Sequence, residues 1–250
     1  MAPTVYFVTG ANRGIGFGLV EALANRSGVL VFATARDPAR ADRLNKLAEE
    51  NKGKVVVVKL EVTSDEDAKK AAEEVKKYTD KVDVLIANAG VSTGSGPVEK
   101  VSTADLHTVI DVNVGGPLRI FQALLPLLRA SSAPRVYGIS STMGSIAANL
   151  DATMPAEMTG GLYTVSKSGL NSLFARIHRE HADKDKMTVV LLCPGHTQTD
   201  MGNAGAQFFG MDEAPVKLDD SIKGLLTFID DESGKYAGKF MSFDGTERTW

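Results

Sequence analysis

Short runs of apolar and β-branched residues alternate with longer amphipathic stretches along nearly the whole chain. Several runs are apolar at almost every position, as in Val55–Val58 and Val189–Leu192. Strands that helices cover on both faces have this composition, which is typical of a parallel sheet. The pattern predicts these strands: Val5–Thr9, Val29–Thr34, Val55–Leu60, Val82–Ala87, Val136–Ser140, Met187–Cys193 and Lys239–Phe243.

The amphipathic stretches carry helix start signals. Asp37 precedes Pro38, as an N-cap precedes a proline in the first helical turn. Two further starts have capping-box spacing with aspartate in place of glutamate: Ser64 with Asp67, and Ser102 with Asp105. The alternation predicts an α/β fold, with a doubly wound (Rossmann) parallel sheet of about seven strands and helices on both faces. Because no linker or repeat interrupts residues 1–250, a single domain is expected.

Composition narrows the class of protein. Hydrophobic residues make up 43% and charged residues 24% of the 250 positions, as in ordinary globular proteins. The net charge of −3 gives no reason to expect nucleic acid or an anionic membrane as partner. No run approaches the roughly 18 apolar residues that span a bilayer, and the N-terminus does not read as a signal peptide. With Cys193 as its single cysteine, expected to be an inert core thiol, the chain is predicted to be cytoplasmic.

The first predicted strand runs into a glycine-rich turn, Thr9–Gly16, and an apolar helix follows. Gly10, Gly14 and Gly16 let the backbone turn sharply and approach a pyrophosphate, while the helix N-terminus supplies N–H groups and a favourable dipole. A tight turn without a ligand would also use glycines. The position of Thr9–Gly16 in the first βαβ unit, however, favours dinucleotide binding.

Tyr163 and Lys167, four residues apart, share one face of a predicted helix. A free tyrosine has a pKa of about 10, too high for efficient proton exchange near neutrality, and a nearby ammonium is expected to lower that pKa. The strand before this helix ends in hydroxyl groups at its carboxyl end, where open α/β sheets bind ligands. Ser141 and its neighbour Ser140 are the alternative candidates there for binding a substrate.

In their order along the chain, these motifs resemble those of the short-chain dehydrogenase/reductase family. The shared motifs are T-G-x-x-x-G-x-G at Thr9–Gly16, N-A-G at Asn88–Gly90, S-x-x-G at Ser141–Gly144, Y-x-x-x-K at Tyr163–Lys167 and P-G-x-x-x-T at Pro194–Thr199. The resemblance implies hydride transfer between a nicotinamide and a carbonyl carbon. Ser141 would polarise the carbonyl, Tyr163 would exchange the proton, and Lys167 would tune Tyr163 and bind ribose. Asn113 matches the helix asparagine that holds a water against this lysine.

The resemblance also implies the cofactor-binding residues, which are Gly10, Asn12, Arg13, Gly14, Ile15, Gly16, Arg36, Glu61, Val62, Asn88, Ala89, Gly90, Tyr163, Lys167, Pro194, Gly195, Thr197 and Thr199. Glu61 stands where the family more often has an aspartate on the adenine amine. Arg36, at the end of the second strand, and Arg13 suit the ribose 2′-phosphate of NADP(H). Asp37 is the dissenting residue because an acid there suits NAD, although helix capping before Pro38 also explains it.

Two segments depart from the usual pattern and bear on the substrate. An insertion near Ala148–Gly160 lies at the predicted active-site rim, where a surface loop without a role is the alternative reading. Asn203–Ala214 follows the last motif, where the family carries a mobile substrate lid. The candidate pocket residues in these segments are Met154, Met158, Phe208, Phe209 and Met211. They favour apolar or aromatic ketones and aldehydes. The chain looks similar to carbonyl reductases of the sniffer and C-factor type and to fungal ketoreductases.

Three functions follow as hypotheses. The first is an NADPH-dependent carbonyl reductase, the second an NAD-linked alcohol dehydrogenase, and the third a dinucleotide sensor without turnover. Arg13 and Arg36 argue against the second, and the complete proton-transfer set argues against the third. No metal site is expected, and His178 and His181 are expected to be solvated. The family commonly assembles through its two long helices, which implies a homodimer or homotetramer.

Overall fold

Residues 2–150 and 160–250, which the computed structural model describes, contain one seven-stranded sheet. The strands are β1 (Thr4–Val8), β2 (Val29–Ala35), β3 (Val55–Lys59), β4 (Val84–Ala87), β5 (Arg135–Ile139), β6 (Thr188–Cys193) and β7 (Phe240–Ser242). Their order is β3-β2-β1-β4-β5-β6-β7, and every neighbouring pair is parallel. The predicted strands are confirmed to within about two residues at each end.

Helices cover both faces of this sheet. They are α1 (Gly14–Ala24), α2 (Asp42–Glu50), α3 (Asp65–Lys76), α4 (Thr103–Ile110), α5 (Gly116–Arg129), α6 (Ile146–Leu150), α7 (Leu162–His181), α8 (Asp200–Phe208) and α9 (Leu218–Ile229). One core packs α3, α5 and α7 against the sheet, and a second core packs α1, α2 and α9 against the other face. The predicted doubly wound Rossmann fold of one domain is therefore confirmed. Within the described ranges, no helix is both long enough and apolar enough to cross a membrane.

The predicted helix caps are present. Asp37 accepts a hydrogen bond from the Ala39 N–H at 3.1 Å and begins a 3₁₀ turn at Pro38–Arg40. Ser64 caps α3 and Ser102 caps α4 in the same way, at 3.1 and 3.0 Å. The capping box at α3 is only half formed, because the Asp67 carboxylate accepts from the Glu61 N–H at 3.1 Å and so fixes the turn after β3.

The expectation that His178 and His181 are solvated is wrong for His181, and His178 is half-buried. His181 is buried, with Nδ1 2.5 Å from Asp185 Oδ2 and its ring packed edge-on against Phe121 at 5.2 Å. The His178 ring lies against Gly238, where an added Cβ would come within 2.6 Å of Nε2. The end of α7 is covered by α5 and by the segment before β7, which local periodicity does not reveal.

A buried carboxylate, Asp83, fixes the amino edge of the sheet. It accepts hydrogen bonds from the Val5 N–H at 2.9 Å, the Ser131 hydroxyl at 2.6 Å and the Lys81 ammonium at 3.0 Å. Burial alone would raise the pKa of Asp83, but these three donors outweigh burial and hold it below its usual value. The ionised form is therefore the one that the fold stabilises.

Asp83→Asn is expected to lower the free energy of unfolding at pH 7 by about 1–3 kcal/mol, because the buried donors lose a charged acceptor. Since the folded pKa lies below the unfolded value of about 3.9, this contribution is present above pH 4 and is lost as the pH falls through the folded pKa. Urea unfolding from pH 7 down to pH 3 measures the difference. The exposed Asp80→Asn is the control. A difference from wild type that does not shrink in acid would contradict this role.

Candidate active site

The turn between β1 and α1 forms a backbone cradle at three glycines, which have no side chains to block it. Gly10 and Gly14 have φ angles of 64° and 55°, which side-chain-bearing residues rarely adopt. A Cβ on Gly16 would lie 2.3 Å from the Gly10 carbonyl oxygen and 2.5 Å from Asn88 Nδ2. The cradle faces the N-terminus of α1, whose first N–H groups suit an anion. These residues therefore fit the pyrophosphate of a dinucleotide.

Asn88 and Ala89, at the end of β4, support this cradle from behind. The Asn88 side chain donates to the carbonyls of Thr9 and Gly10 at 2.8 and 3.1 Å. The N–H groups of both residues donate to the Thr9 hydroxyl at 2.9 Å. The side-chain amide of Asn88 thus shapes the glycine turn. Gly90 then leaves room for the Asn113 side chain, since a Cβ there would lie 3.2 Å from Asn113 Oδ1.

The loop after β5 brings its hydroxyl groups to α7. The Ser141 hydroxyl lies beside the Tyr163 phenol, where it acts to lower the pKa of that phenol, and it accepts from the Met143 N–H at 3.2 Å. Gly144 permits this approach, because a Cβ there would lie 2.8 Å from the Lys167 carbonyl carbon. Ser140, the alternative to Ser141, is buried and donates to Asn171 Oδ1 at 2.6 Å. The geometry favours Ser141.

Tyr163 and Lys167 lie one turn apart at the start of α7. Lys167 Nζ is 5.5 Å from the centre of the Tyr163 ring and donates to the Ile139 carbonyl at 2.8 Å. Burial lowers the pKa of Lys167 to about 8 and raises the pKa of Tyr163 above its usual value. The nearby Ser141 hydroxyl opposes this rise in the pKa of Tyr163. The prediction that Lys167 lowers the pKa of Tyr163 is therefore wrong for the protein alone, because the effect of burial on Tyr163 is larger.

Asn113 lies in a π-helical turn, Asp111–Gly115, between α4 and α5, and it is fully buried. Its side chain accepts from the Val91 N–H and donates to the Val91 carbonyl and the Ser166 hydroxyl, each at 2.8 Å. Pro117 has no N–H, so it cannot donate the α-helical bond to the Asn113 carbonyl. The asparagine therefore ties the loop after β4 to α7. Its expected contact with a water stays a prediction.

The arginines predicted at the adenosine end lie in solvent beside acidic groups. Arg36 is 82% exposed, with Nε 3.9 Å from Glu61 Oε2. Arg13 is 71% exposed and donates to Asp200 at 3.0 Å across the mouth of the glycine turn. Sequence reasoning missed Asp200, whose signal was its position after the helix-capping Thr199. Both guanidinium groups are accessible to an anionic ligand.

The segment after β6 closes over the glycine turn. Thr199 caps α8 by accepting from the Gly202 N–H at 3.0 Å, and a Cβ on Gly14 would lie 3.4 Å from Thr199 Cγ2. Thr197, by contrast, is buried and donates to the Pro194 carbonyl at 2.8 Å. Its hydroxyl is thus engaged within the protein, and Thr199 is better placed to face a cofactor.

Three of the five candidate substrate residues lie in the part of the chain that the structure describes. Phe208 and Phe209 end α8 and stack edge-on with ring centres 5.3 Å apart, and Phe208 is 57% exposed. Met211 follows and is half-buried. The segment expected as a lid therefore begins as a helix. Met154 and Met158 lie outside the described residues.

Two residues that sequence reasoning missed support the reactive groups. Asn171 accepts from Ser140 and donates to the Gly144 carbonyl at 3.1 Å, so it holds both ends of the Ser141 loop. Ser166 donates to the Tyr163 carbonyl at 2.7 Å and accepts from Asn113. Their sequence signal was a polar residue on the buried face of α7, at positions where the helix pattern predicts apolar ones.

The fold and the site together define a dinucleotide-binding Rossmann oxidoreductase in which a serine, a tyrosine and a lysine meet at the carboxyl edge of the sheet. The sequence profile of the short chain dehydrogenase family matches residues 4–207, and the chain belongs to this family.

Known relatives agree with the family assignment. The norsolorinic acid ketoreductase of Aspergillus parasiticus is 32% identical over 252 residues, covering 99% of this chain and 91% of its own. The NADPH-bound carbonyl reductase from chicken fatty liver is 32% identical, with a TM-score of 0.87 over the full length of both chains. The carbonyl reductase Sniffer of D. melanogaster is 26% identical, with a TM-score of 0.85 over both full chains. The predicted likeness to sniffer-type reductases and fungal ketoreductases is confirmed.

Proposed function

We propose that the protein reversibly reduces ketones and aldehydes to alcohols with NADPH, with Tyr163 as the general acid and base. The observation that carries the proposal is the convergence of Ser141, Tyr163 and Lys167 beside the glycine cradle. A protein that only senses a dinucleotide needs the cradle but not this proton-transfer set. The set therefore favours an enzyme over a sensor.

The chain's own groups suit proton delivery to a carbonyl oxygen. Bound NADPH would supply the hydride. The Ser141 hydroxyl, which lies beside the Tyr163 phenol, would donate to the substrate oxygen and hold it next to that phenol. Because burial raises its pKa, Tyr163 is protonated near neutrality, so the proton needed for reduction is present, but the phenolate left after its transfer needs a nearby cation. The Lys167 ammonium would stabilise the phenolate that remains.

NADP(H) is the cofactor that the charges favour. Arg13 and Arg36 offer two exposed guanidinium groups at the ends of the glycine turn and of β2, and a 2′-phosphate binds such a pair through charge-assisted bonds. Asp37, the residue that favours NAD, is occupied as a helix cap. The NADPH-bound chicken relative is consistent with this choice. An NAD-linked alcohol dehydrogenase is therefore the weaker candidate.

The proposed substrates are apolar or aromatic carbonyl compounds. Phe208, Phe209 and Met211 place apolar and polarisable side chains after the segment that closes over the cofactor cradle. The fungal relative's name gives ketone reduction as its activity, which agrees with this class. A homodimer or homotetramer and a cytoplasmic location stay predictions from the sequence.

Arg36→Ser is expected to weaken NADPH binding about 10–100-fold and to leave NADH binding unchanged, because only NADPH carries the 2′-phosphate. Titration of nicotinamide fluorescence measures both dissociation constants. Arg40→Ser, in the adjacent 3₁₀ turn and exposed, is the matched control. Tighter binding of NADH by the wild type would instead mean that Asp37 sets the cofactor.

A further inference from the structure

Arg119, near the start of α5, joins three segments through one guanidinium group. Nε donates to Asp65 Oδ1 at 2.8 Å and Nη2 donates to Asp111 Oδ1 at 2.6 Å. Nη1 donates to the carbonyls of Asp111 and Val62 at 3.3 and 3.5 Å. The side chain is 23% exposed, so it is largely enclosed by these partners. A planar five-donor fork can serve three partners at once, which a point charge cannot do as well.

The backbone around Arg119 is fitted to this contact by two glycines. A Cβ on Gly115 would lie 2.7 Å from Arg119 Nη1. A Cβ on Gly116 would lie 2.9 Å from Val62 Cβ. The Gly116 N–H also donates to the Asp111 carbonyl, which closes the π-helical turn. The start of α5 therefore packs directly on the turn after β3, with the guanidinium between them.

The segments that Arg119 joins belong to opposite ends of the proposed cofactor site. Val62 follows Glu61, whose carboxylate lies 3.9 Å from Arg36 at the adenosine end. Asp111 shares its π-helical turn with Asn113, which is bonded to Ser166, the residue before Lys167. A displacement of this turn would move Asn113 together with the start of α7.

We propose that Arg119 is a positioning residue that fixes the adenosine-side turn after β3 relative to the Asn113 turn, so that cofactor binding and proton transfer depend on it. This assignment rests on the proposed NADPH-dependent function. The hydrogen bond to Asp65 would hold the turn after β3 at the adenosine end, and the hydrogen bond to Asp111 would hold the turn that carries Asn113. An isolated surface ion pair would be worth little, and the effect arises because one guanidinium holds both turns.

Substitutions can remove the Asp65 contact and the Asp111 contact of Arg119 separately. Asp65→Asn is expected to weaken binding of adenosine 2′,5′-bisphosphate about fivefold with kcat nearly unchanged. Asp111→Asn is expected to lower kcat about fivefold with little effect on that binding. Arg119→Met combines both effects, at about tenfold each, and Arg119→Lys restores less than half of either loss. Calorimetric titration with adenosine 2′,5′-bisphosphate and steady-state kinetics with NADPH give the two readouts.

Arg129→Met is the matched control. Arg129 lies on the same helix and pairs with Asp185 on another segment, remote from both turns. If Arg119→Met matches Arg129→Met in both readouts, or if the Asp65 and Asp111 variants leave both at wild-type values, the assignment is overturned. If the wild type binds neither adenosine 2′,5′-bisphosphate nor NADPH, the proposed function fails together with it. Wild-type binding with an inert Arg119 overturns only the positioning role.

Discussion

Tyr163→Phe is expected to lower kcat about 10²–10⁴-fold, because it removes the only proton that the proposed mechanism delivers to the substrate oxygen. The ring and its packing remain, so NADPH affinity should change by less than about threefold, the effect of one lost weak hydrogen bond. Steady-state kinetics with an aromatic aldehyde and a fluorescence titration with NADPH measure the two quantities on the same sample.

Tyr137→Phe is the control for this substitution. Tyr137 is a fully buried tyrosine on β5 whose hydroxyl donates to the Phe228 carbonyl at 3.0 Å, far from the glycine cradle. The substitution Tyr137→Phe removes a buried phenol hydroxyl but leaves Ser141, Tyr163 and Lys167 unchanged, so kcat should stay near the wild-type value. A Tyr163→Phe enzyme that keeps more than about a tenth of its kcat would show that another group donates the proton.

Lys167→Met is expected to act on activity and on stability in different ways. Activity should fall about 100-fold or more, since the ammonium that would stabilise the phenolate and bind ribose is lost. Stability follows from the pKa of Lys167, which burial lowers to about 8 from a usual value near 10.5. Because the unfolded chain then holds more protons between these two values, the buried lysine costs stability below pH 8, and this cost is relieved as the pH rises.

The stability of the wild type relative to Lys167→Met should therefore rise between pH 8 and pH 10. Chemical unfolding of both proteins at several pH values measures the difference. Lys184→Met, at an exposed position in the turn after α7, should show a difference that is constant over this range. A flat difference for Lys167→Met would mean that the lysine keeps an ordinary pKa, and that its environment is wetter than the structure shows.

Much of the fold could be predicted because the central strands of the sheet are buried on both faces. Continuous apolar runs such as Val189–Leu192 are then required by burial, and they are visible without any tertiary knowledge. The glycine turn was predictable for a similar reason. A Cβ on Gly16 would lie 2.3 Å from the Gly10 carbonyl oxygen, so this position requires glycine and the requirement is visible in the sequence. The roles of Ser141, Tyr163 and Lys167 could be predicted because the family motifs that carry them, S-x-x-G and Y-x-x-x-K, are short and local in sequence.

Residues whose role depends on distant contacts were not predictable. His181 appeared to be a polar residue near a helix end, yet Phe121 from α5 and Asp185 enclose it. Ser140 and Ser141 are neighbours in a run of hydroxyls, and only the position of Asn171 on α7 shows which one faces the core. Arg119 is the clearest example. Its partner Asp65 lies at the start of α3 and its partner Asp111 lies in the turn between α4 and α5, and no periodicity in the sequence indicates that these residues meet.

The effect of Lys167 on the tyrosine also depended on more than spacing. The sequence places the ammonium one helical turn from the phenol, which predicts a lowered pKa. In the fold, the same burial that brings them together disfavours charge on both groups, and the ammonium is directed to the Ile139 carbonyl. Burial depth is a property of the whole packed core, so local sequence carries little information about it.

The most direct test of the central claim is the rate of NADPH oxidation by the purified protein with a panel of aromatic and aliphatic ketones and aldehydes, followed at the nicotinamide absorbance band. Turnover of at least one apolar or aromatic carbonyl compound with NADPH, much weaker with NADH, is the predicted result. Tight NADPH binding with no oxidation by any member of the panel would contradict the proposed reductase activity and support a dinucleotide sensor.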